Sequence, residues 1–550
     1  MKGKRVAAII ALVFFISLLI NNNIEMPFDE SRHAMQSVFF KQYFATILSG
    51  DYISLPEFLN LQMQKNQYVG WFALYDPPVH AIIGGIFFLI FGISQFVAMA
   101  SNALVISATS LVFYLMSRDY FQDEKKALVC YALFLFNPFV FQWSRIYRTE
   151  LFVTFTFAAW YYFTFWRKEK YLSIRLGHKL AFRVPLMVLL GGIFLTLSGL
   201  SKYPSIIFAA CMMITHFLYS MYVNRSIIKE ESFLAFAEKA NLWMLIKKYT
   251  IQAAIFLVIG GWWIKFSLFD YGMWSKALWA GTEVGRTRSD LAYYVYYPVA
   301  LFQDVYYITA FALIAIYLAF KVLDSRKILL TFSCLSVLLV ATILISNRQL
   351  RYTFQFTPMF YLLSVDGLFL FANWIKRYLK FHYIFLAMAF FVFFVYTDYV
   401  KTRTALDVTG HIDYGIEKFM ANVKDPSYFM NIKGHGGFEA SRVVNGYQYK
   451  YTPDLFNFKL VKVSKNYDDP KKMQRYVDIV YWVEEGFDTH PEVVIHKLVD
   501  LSKQIDVYLV LYRFDDPKTD NIISSLKQPL MDAGFSYKEF DYYIVLYKVK

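Results

Sequence analysis

The chain has 550 residues, 57% of them hydrophobic and 18% charged, with a mean hydropathy of +0.37. Lys and Arg outnumber Asp and Glu by 56 to 42, a net charge of +14. This balance excludes a soluble enzyme, a disordered chain and a disulfide scaffold, because it leaves too little polar surface for a soluble protein of this length. Aromatic residues make up 20%, which suits lipid-facing helices and interfacial belts. The basic residues are strung between apolar runs rather than gathered on one face, so they read as topology signals and not as a nucleic-acid surface. Cys130, Cys211 and Cys334 all lie in apolar segments and offer no disulfide framework.

The first apolar run, Val6 to Ile20, follows Lys2, Lys4 and Arg5 and precedes Asn21-Asn22-Asn23 without a small-residue cleavage site. It reads as an uncleaved signal anchor with a cytoplasmic N-terminus. Residues 21–95 form a first outer loop, polar and aromatic to 78, then apolar but interrupted at Gly92 and Ser94-Gln95. Ten further spans follow at about 96–116, 127–144, 151–166, 184–200, 204–222, 250–268, 300–320, 328–346, 353–371 and 382–397, each near the ~20 residues a bilayer requires. With about eleven spans, every loop assigned to the cytoplasm is basic: Arg118 to Lys126, Arg167 to Arg183, Arg225 to Lys248, Lys321 to Lys327 and Lys376 to Lys380.

From 398 onward Pro, Gly and charged residues rise, and apolar residues alternate. Runs beginning at Asp478, Asp506 and Tyr542 read as strands, and 492–504 and 519–533 as amphipathic helices. The expected architecture is a polytopic α-helical membrane domain over 1–397 and a soluble, extracytoplasmic α/β domain over 398–550.

Ionisable residues near a bilayer point to function where they face a cavity rather than lipid. On this topology they gather at the outer surface. Asp29, Glu30, Arg32 and His33 open the first outer loop, and Asp76-Pro77-Pro78-Val79-His80 closes it. Arg145, Arg148 and Glu150 lie between two spans, Lys202 at an outer turn, and Arg348 and Arg351 before the tenth span. Cations of this kind hold a phosphate, and a carboxylate beside them takes a proton. Plainer readings stand beside this one: Lys202 and Arg348 also fit cations reaching headgroups, Arg32 a structural bridge, and Asp76 a turn cap.

Phe28-Asp-Glu-Ser-Arg-His-Ala34 resembles the Asp-Glu-x-x-Tyr signature of the GT-C glycosyltransferases that use polyprenyl-phosphate sugars, above all the protein O-mannosyltransferase and lipid A aminoarabinose transferase group. The likeness continues in order to about residue 370. Tyr75-Asp-Pro-Pro-Val and Phe91-Gly-Ile-Ser-Gln-Phe-Val-Ala are similar to the family's Lys-Pro-Pro-Leu run and the Phe-Gly-x-Ser segment after it. Asn137-Pro-Phe to Glu150, Gly199-Leu-Ser-Lys202 and Arg351-Tyr352 through Pro358 match later family segments. Three positions depart from the pattern: Asp76 replaces the Lys before Pro-Pro, Glu150 replaces an Asp, and His33 replaces the Tyr.

The resemblance implies an inverting hexosyl- or pentosyltransferase that moves a sugar from undecaprenyl- or dolichyl-phosphate to a hydroxyl of a protein, lipid or glycan acceptor. Asp29, Glu30 and Glu150 would be catalytic. Arg145, Arg148, Lys202, Arg351, His33 and Asp76 would bind lipid phosphate or sugar. The chain shows no Asp-x-Asp motif, P-loop or dinucleotide fingerprint, which fits a donor that has already crossed the membrane.

No cofactor and no nucleic acid is expected. A divalent metal on Asp29, Glu30, His33, Asp76 and His80 stays open, without the ligand spacing of zinc. So does a lipid or polysaccharide flippase, although charges at outer span ends and the lack of a clear repeat suit a transporter less well. An adhesion subunit is a third class, for which eleven spans are more than an anchor needs. The absence of outer disulfides and of any retention signal favours a prokaryotic plasma (inner) membrane over an endoplasmic reticulum. The loop 269–299, with Trp274, Trp279, Glu283, Arg286 and Arg288, suits sugar or acceptor contact, and Gly434-His435-Gly436-Gly437 reads as a turn.

Overall fold

The computed structural model describes residues 2–20, 28–64, 77–93, 95–168, 170–176, 180–223, 242–270, 291–305, 307–344, 354–379 and 382–408. In the C-terminal part it describes 419, 427–433, 458–460, 475–483, 486–487, 491–512, 517–540 and 543–550. The chain divides into two compact units, one of Met1–Ile20, Tyr75–His80 and Asn102–Lys401, the other of Asn21–Leu74, Ala81–Ser101 and Thr402–Lys550.

Among the described residues the eleven apolar segments are mainly helical. In chain order the helices are α1 (Lys2–Ile20), α2 (Phe28–Leu48), α3 (Leu55–Gln64), α4 (Val79–Phe91), α5 (Gln95–Phe121), α6 (Glu124–Leu135), α7 (Pro138–Ser144) and α8 (Glu150–Tyr161). They continue as α9 (Leu186–Gly199), α10 (Pro204–Val223), α11 (Leu242–Ile264), α12 (Leu291–Asp304), α13 (Ala312–Val322), α14 (Ser325–Leu344), α15 (Thr357–Leu379) and α16 (Tyr383–Val408). Among the described residues seven are long and apolar enough to cross a membrane, or nine if each of two bent pairs is one span. The two expected spans that fall short are α8, twelve residues continued by a five-residue π turn, and α9, fourteen residues long. The chain is thus a multi-pass α-helical membrane protein.

Local chemistry sets the breaks. Asp123 caps α6 by accepting from the Lys125 and Lys126 amides at 2.8 and 3.2 Å. Asn137 caps α7 through the Phe139 amide at 3.0 Å, and Pro138 occupies the first helical position. The α6–α7 pair bends there by 58°, so the span expected as straight over 127–144 is broken. The span expected over 300–320 is also interrupted. It begins as α12, with Pro298 inside, passes Tyr307 in the left-handed conformation (φ 61°), and resumes in the turn Ile308–Phe311 and α13. Helix α12 therefore occupies the end of what the sequence suggested was a loop to 299.

Every residue of α8 is buried, the signature of a helix apolar all round at the centre of a bundle. Phe134 joins this core with ring contacts to Phe113 at 4.4 Å, Tyr361 at 4.9 Å and Phe155 at 5.9 Å. The basic loop 167–183 contains an antiparallel hairpin, β1 (Tyr171–Leu176) with β2 (Leu180–Pro185), in which Ile174 pairs with Phe182.

In the second unit α4 meets α2 at Gly85, where a Cβ would lie 2.9 Å from the Ser37 carbonyl oxygen and the Lys41 amide. Its C-terminal part is an α/β fold. Strands β3 (Ser427–Lys433), β4 (Phe458–Leu460), β5 (Arg475–Val483) and β7 (Asp506–Tyr512) run parallel. β8 (Ser536–Glu539) and β9 (Tyr543–Lys548) close one edge antiparallel, in the order β4-β5-β3-β7-β9-β8, and the short β6 (Gly486–Phe487) pairs with β5. Helices α17 (Pro491–Ser502) and α18 (Pro517–Asp532) bury Leu498, Leu526 and Leu530 with Leu509 and Leu546 of the sheet. Strands expected at 478, 506 and 542 and both expected helices are present, and β3, β4, β6 and β8 are additions.

Candidate active site

Polar side chains of the first unit meet at two levels, and α5 runs between them. At one end Asp119 gathers the Tyr162 hydroxyl at 2.7 Å, Arg167 at 3.1 Å and Arg118 at 3.1 Å, while Arg326 donates to its carbonyl oxygen at 3.0 Å. Nearby in the sequence, Tyr120 donates to Asp366 at 3.1 Å, and Lys327 pairs with the same carboxylate. Several loops that the sequence marks as basic therefore converge on one face.

The other level lies at Asn102. At a rise of 1.5 Å per residue, roughly 25 Å of helix separates it from Asp119, close to the ~30 Å of a bilayer core. Here Glu150, the first residue of α8, carries a carboxylate where the helix dipole favours a negative charge. Lys202 reaches it at 3.2 Å from the turn between α9 and α10, where the Lys202 amide donates to Ser198 at 3.0 Å and its carbonyl accepts from Ser205 at 3.0 Å. The Val79 amide donates to Leu200 at 3.1 Å, which brings the start of α4 to the same turn.

Arg145 follows α7 directly and is buried. Burial holds the pKa of its guanidinium below the ordinary value, and Asp398 of α16 offsets only part of that fall. The Arg148 guanidinium lies 5.4 Å over the Trp143 ring. The Ser205 hydroxyl accepts from the Gln355 side-chain amide at 3.5 Å, and Gln355 Oε1 and the Ser198 hydroxyl are buried with no hydrogen-bond partner among the described residues.

Of the residues singled out from sequence, the structure brings Glu150 and Lys202 into contact and puts Arg145 and Arg148 on the segment leading into Glu150. His33 is buried within α2 in the second unit, where its carbonyl accepts from Ser37 at 3.0 Å. Asp29 and Glu30 belong to the first turn of α2, but their side chains, with Arg32, lie outside the described residues. Asp76, Arg348, Arg351, the tryptophans and charges of 274–288 and Gly434 to Gly437 also lie outside them. Among the described residues no three His, Cys, Asp or Glu side chains are grouped to hold a metal. Sequence reasoning missed Asn102, Gln355 and Asp398. For Asn102 and Asp398 the available signal was a polar group inside or at the end of an apolar run.

The architecture defines the class: a polytopic α-helical membrane protein with a C-terminal α/β part. Over residues 75–239 the chain matches the family described as dolichyl-phosphate-mannose-protein mannosyltransferase. It is similar to ArnT from Cupriavidus metallidurans in the apo state, at TM-score 0.58 and 11% identity, covering 98% of each chain. It is similar to the same protein bound to undecaprenyl phosphate at TM-score 0.54 and 12% identity, covering 99% of this chain and 97% of that one. At these identities the likeness shows the fold. No curated protein matches the chain.

Proposed function

We propose that the chain is an inverting glycosyltransferase that moves a sugar from a polyprenyl phosphate to an acceptor hydroxyl on protein, lipid or glycan at the outer face of a plasma (inner) membrane. The observation that carries this reading is the buried Glu150–Lys202 pair, reached from the segment bearing Arg145 and Arg148, at the end of a GT-C fold remote from the basic loops. The excess of Lys and Arg in those loops favours a cytoplasmic position for them and for the N-terminus. The site and the C-terminal domain then face outward. Binding of undecaprenyl phosphate by ArnT, which shares the fold, supports a polyprenyl-phosphate donor, undecaprenyl- or dolichyl-linked.

In this scheme Asp29, matched to the family's first motif, takes the proton of the acceptor hydroxyl. The acceptor oxygen attacks the anomeric carbon, the bond from that carbon to the phosphate oxygen breaks, and polyprenyl phosphate leaves with the electron pair. The configuration inverts. Lys202, Arg145, Arg148 and Arg351 neutralise the leaving phosphate, with arginine suited to a bidentate grip. Glu150 holds Lys202 in place, and Glu30, His33 and Asp76 contribute to acceptor or sugar binding. No cofactor enters the scheme.

The test is transfer from a polyprenyl-phosphate sugar in membranes that carry Asp29→Asn, read by mass spectrometry of glycans, lipids and surface proteins. The expected result is normal expression with transfer abolished. Near-normal transfer by the variant overturns the assignment.

A further inference from the structure

Two buried residues at the same level have no part in this scheme, yet the segment that carries its cations leans on them. The Asn102 side-chain nitrogen lies 2.8 Å from the Ile146 carbonyl oxygen and 3.4 Å from that of Ser144. Carbonyl oxygens only accept, so the amide end facing them is the NH2. The Asn102 Oδ1 therefore faces His80 Nε2, at 3.1 Å. Because Oδ1 also only accepts, His80 donates through Nε2–H. The His80 ring further lies 4.7 Å from the Tyr147 ring.

Around the segment held in this way the main chain makes local bonds: the Arg145 amide donates to Gln142 at 3.2 Å, and the Thr149 carbonyl accepts from the Val153 amide at 2.9 Å. Helix α7 ends at Ser144, where the last carbonyls of a helix lack intrahelical donors. Within 145–149 the Arg148 amide donates to Ile146 at 2.9 Å, and Thr149 opens α8 without a side-chain cap. Asn102 adds a side-chain donor to the Ser144 carbonyl and a second donor to that of Ile146, which also accepts from the Arg148 amide.

Resting on the proposed glycosyl transfer, we propose that His80 and Asn102 are positioning residues: His80 orients the Asn102 amide, and Asn102 fixes the 144–149 segment so that Arg145 and Arg148 meet the phosphate of the lipid donor. Neither residue touches the substrate. Their loss weakens the hold on the donor rather than the chemistry.

The experiment uses the full chain in detergent with four variants. Asn102→Asp keeps size and the acceptor for His80 but donates nothing to the carbonyls. Asn102→Ala removes both. His80→Gln keeps an N–H near the Nε2 position, and His80→Leu keeps bulk alone. The readouts are hydrogen exchange over 144–149, the Kd for undecaprenyl phosphate, and KM and kcat for the donor. Asn102→Asp, Asn102→Ala and His80→Leu should exchange faster and bind the lipid about tenfold more weakly, the worth of roughly one buried hydrogen bond. Donor KM should rise with kcat little changed, and His80→Gln should stay near wild type. Unchanged exchange in Asn102→Asp and Asn102→Ala overturns the proposal, as does faster exchange with unaltered lipid affinity or a His80→Gln as impaired as His80→Leu. Exchange and lipid binding need no turnover, so a wild-type chain that transfers no sugar counts against the proposed function and not against this brace.

Discussion

Lys202 Nζ lies 3.2 Å from Glu150 Oε1, and the two side chains are only 14% and 6% exposed. A pair this withdrawn from water is sensitive to the loss of one member, because the other is left as an uncompensated buried charge, at a cost of about 3–5 kcal/mol. Replacing both removes the attraction and the penalty together. Lys202→Met should therefore lower the melting temperature in detergent more than the double variant Glu150→Gln with Lys202→Met. Transfer should fall in both, since both lack the cation. A double variant less stable than Lys202→Met would show that Glu150 stabilises the fold through contacts other than Lys202.

Asp119 makes the matching prediction at the far end of α5. Its carboxylate accepts from Tyr162, Arg118 and Arg167, and its carbonyl from Arg326. Tyr162→Phe removes one hydrogen bond to a charged, partly exposed group and should cost about 1 kcal/mol. Asp119→Ala removes three donors' partner at once and should cost more. Donor KM should not change in either, because roughly 25 Å of helix separates Asp119 from Asn102. Parallel losses of stability and donor affinity would show that the two ends are coupled.

The sequence made much of this architecture legible, for a physical reason. A bilayer demands apolar runs of fixed length, and such runs stand out whatever they pack against. The breaks were harder to read. Asn137-Pro138 carries the chemistry of a helix start, yet the 58° bend depends on where α7 then packs. Tyr307 takes the left-handed conformation without the Gly or Asn that usually signals it. In the hairpin β1–β2 the alternation Leu172, Ile174, Leu176 was present but overshadowed by flanking basic residues. At the site, Glu150 and Lys202 were visible through family-like motifs, whereas Asn102 acquires meaning from a carbonyl 44 residues away in the chain.

The C-terminal sheet offers a test apart from the membrane unit. Leu509 of β7 and Leu546 of β9 are cross-strand neighbours, both fully buried under α17 and α18. Leu509→Ala leaves a cavity in this core and should cost about 2–5 kcal/mol of local stability. Hydrogen exchange of 506–512 and 543–548 should rise together, because the two strands share one hydrogen-bond ladder. Faster exchange confined to β7 would mean that β9 is held by β8 alone.

Two glycines separate a soft contact from a hard one. At Gly191 an added Cβ would lie 2.2 Å from Gln252 Nε2 and 2.8 Å from Thr164 Oγ1, both ends of side chains. Gln252 also accepts from Trp160 at 3.2 Å, so its displacement would disturb a buried polar link among α8, α9 and α11. Gly191→Ala should cost about 1–3 kcal/mol, the usual price of overpacking, and still give folded protein. At Gly367 the Cβ would meet the Phe311 carbonyl oxygen at 1.7 Å, and a main-chain group cannot swing aside. The backbone of α15 passes the Ile308–Phe311 turn at a distance only glycine allows. Gly367→Ala should therefore displace α13 or α15 and sharply reduce the yield of monodisperse protein, while Gly191→Ala purifies normally with a lower melting temperature. Equal behaviour of the two variants in size-exclusion and melting measurements would show that α15 and the turn do not approach so closely.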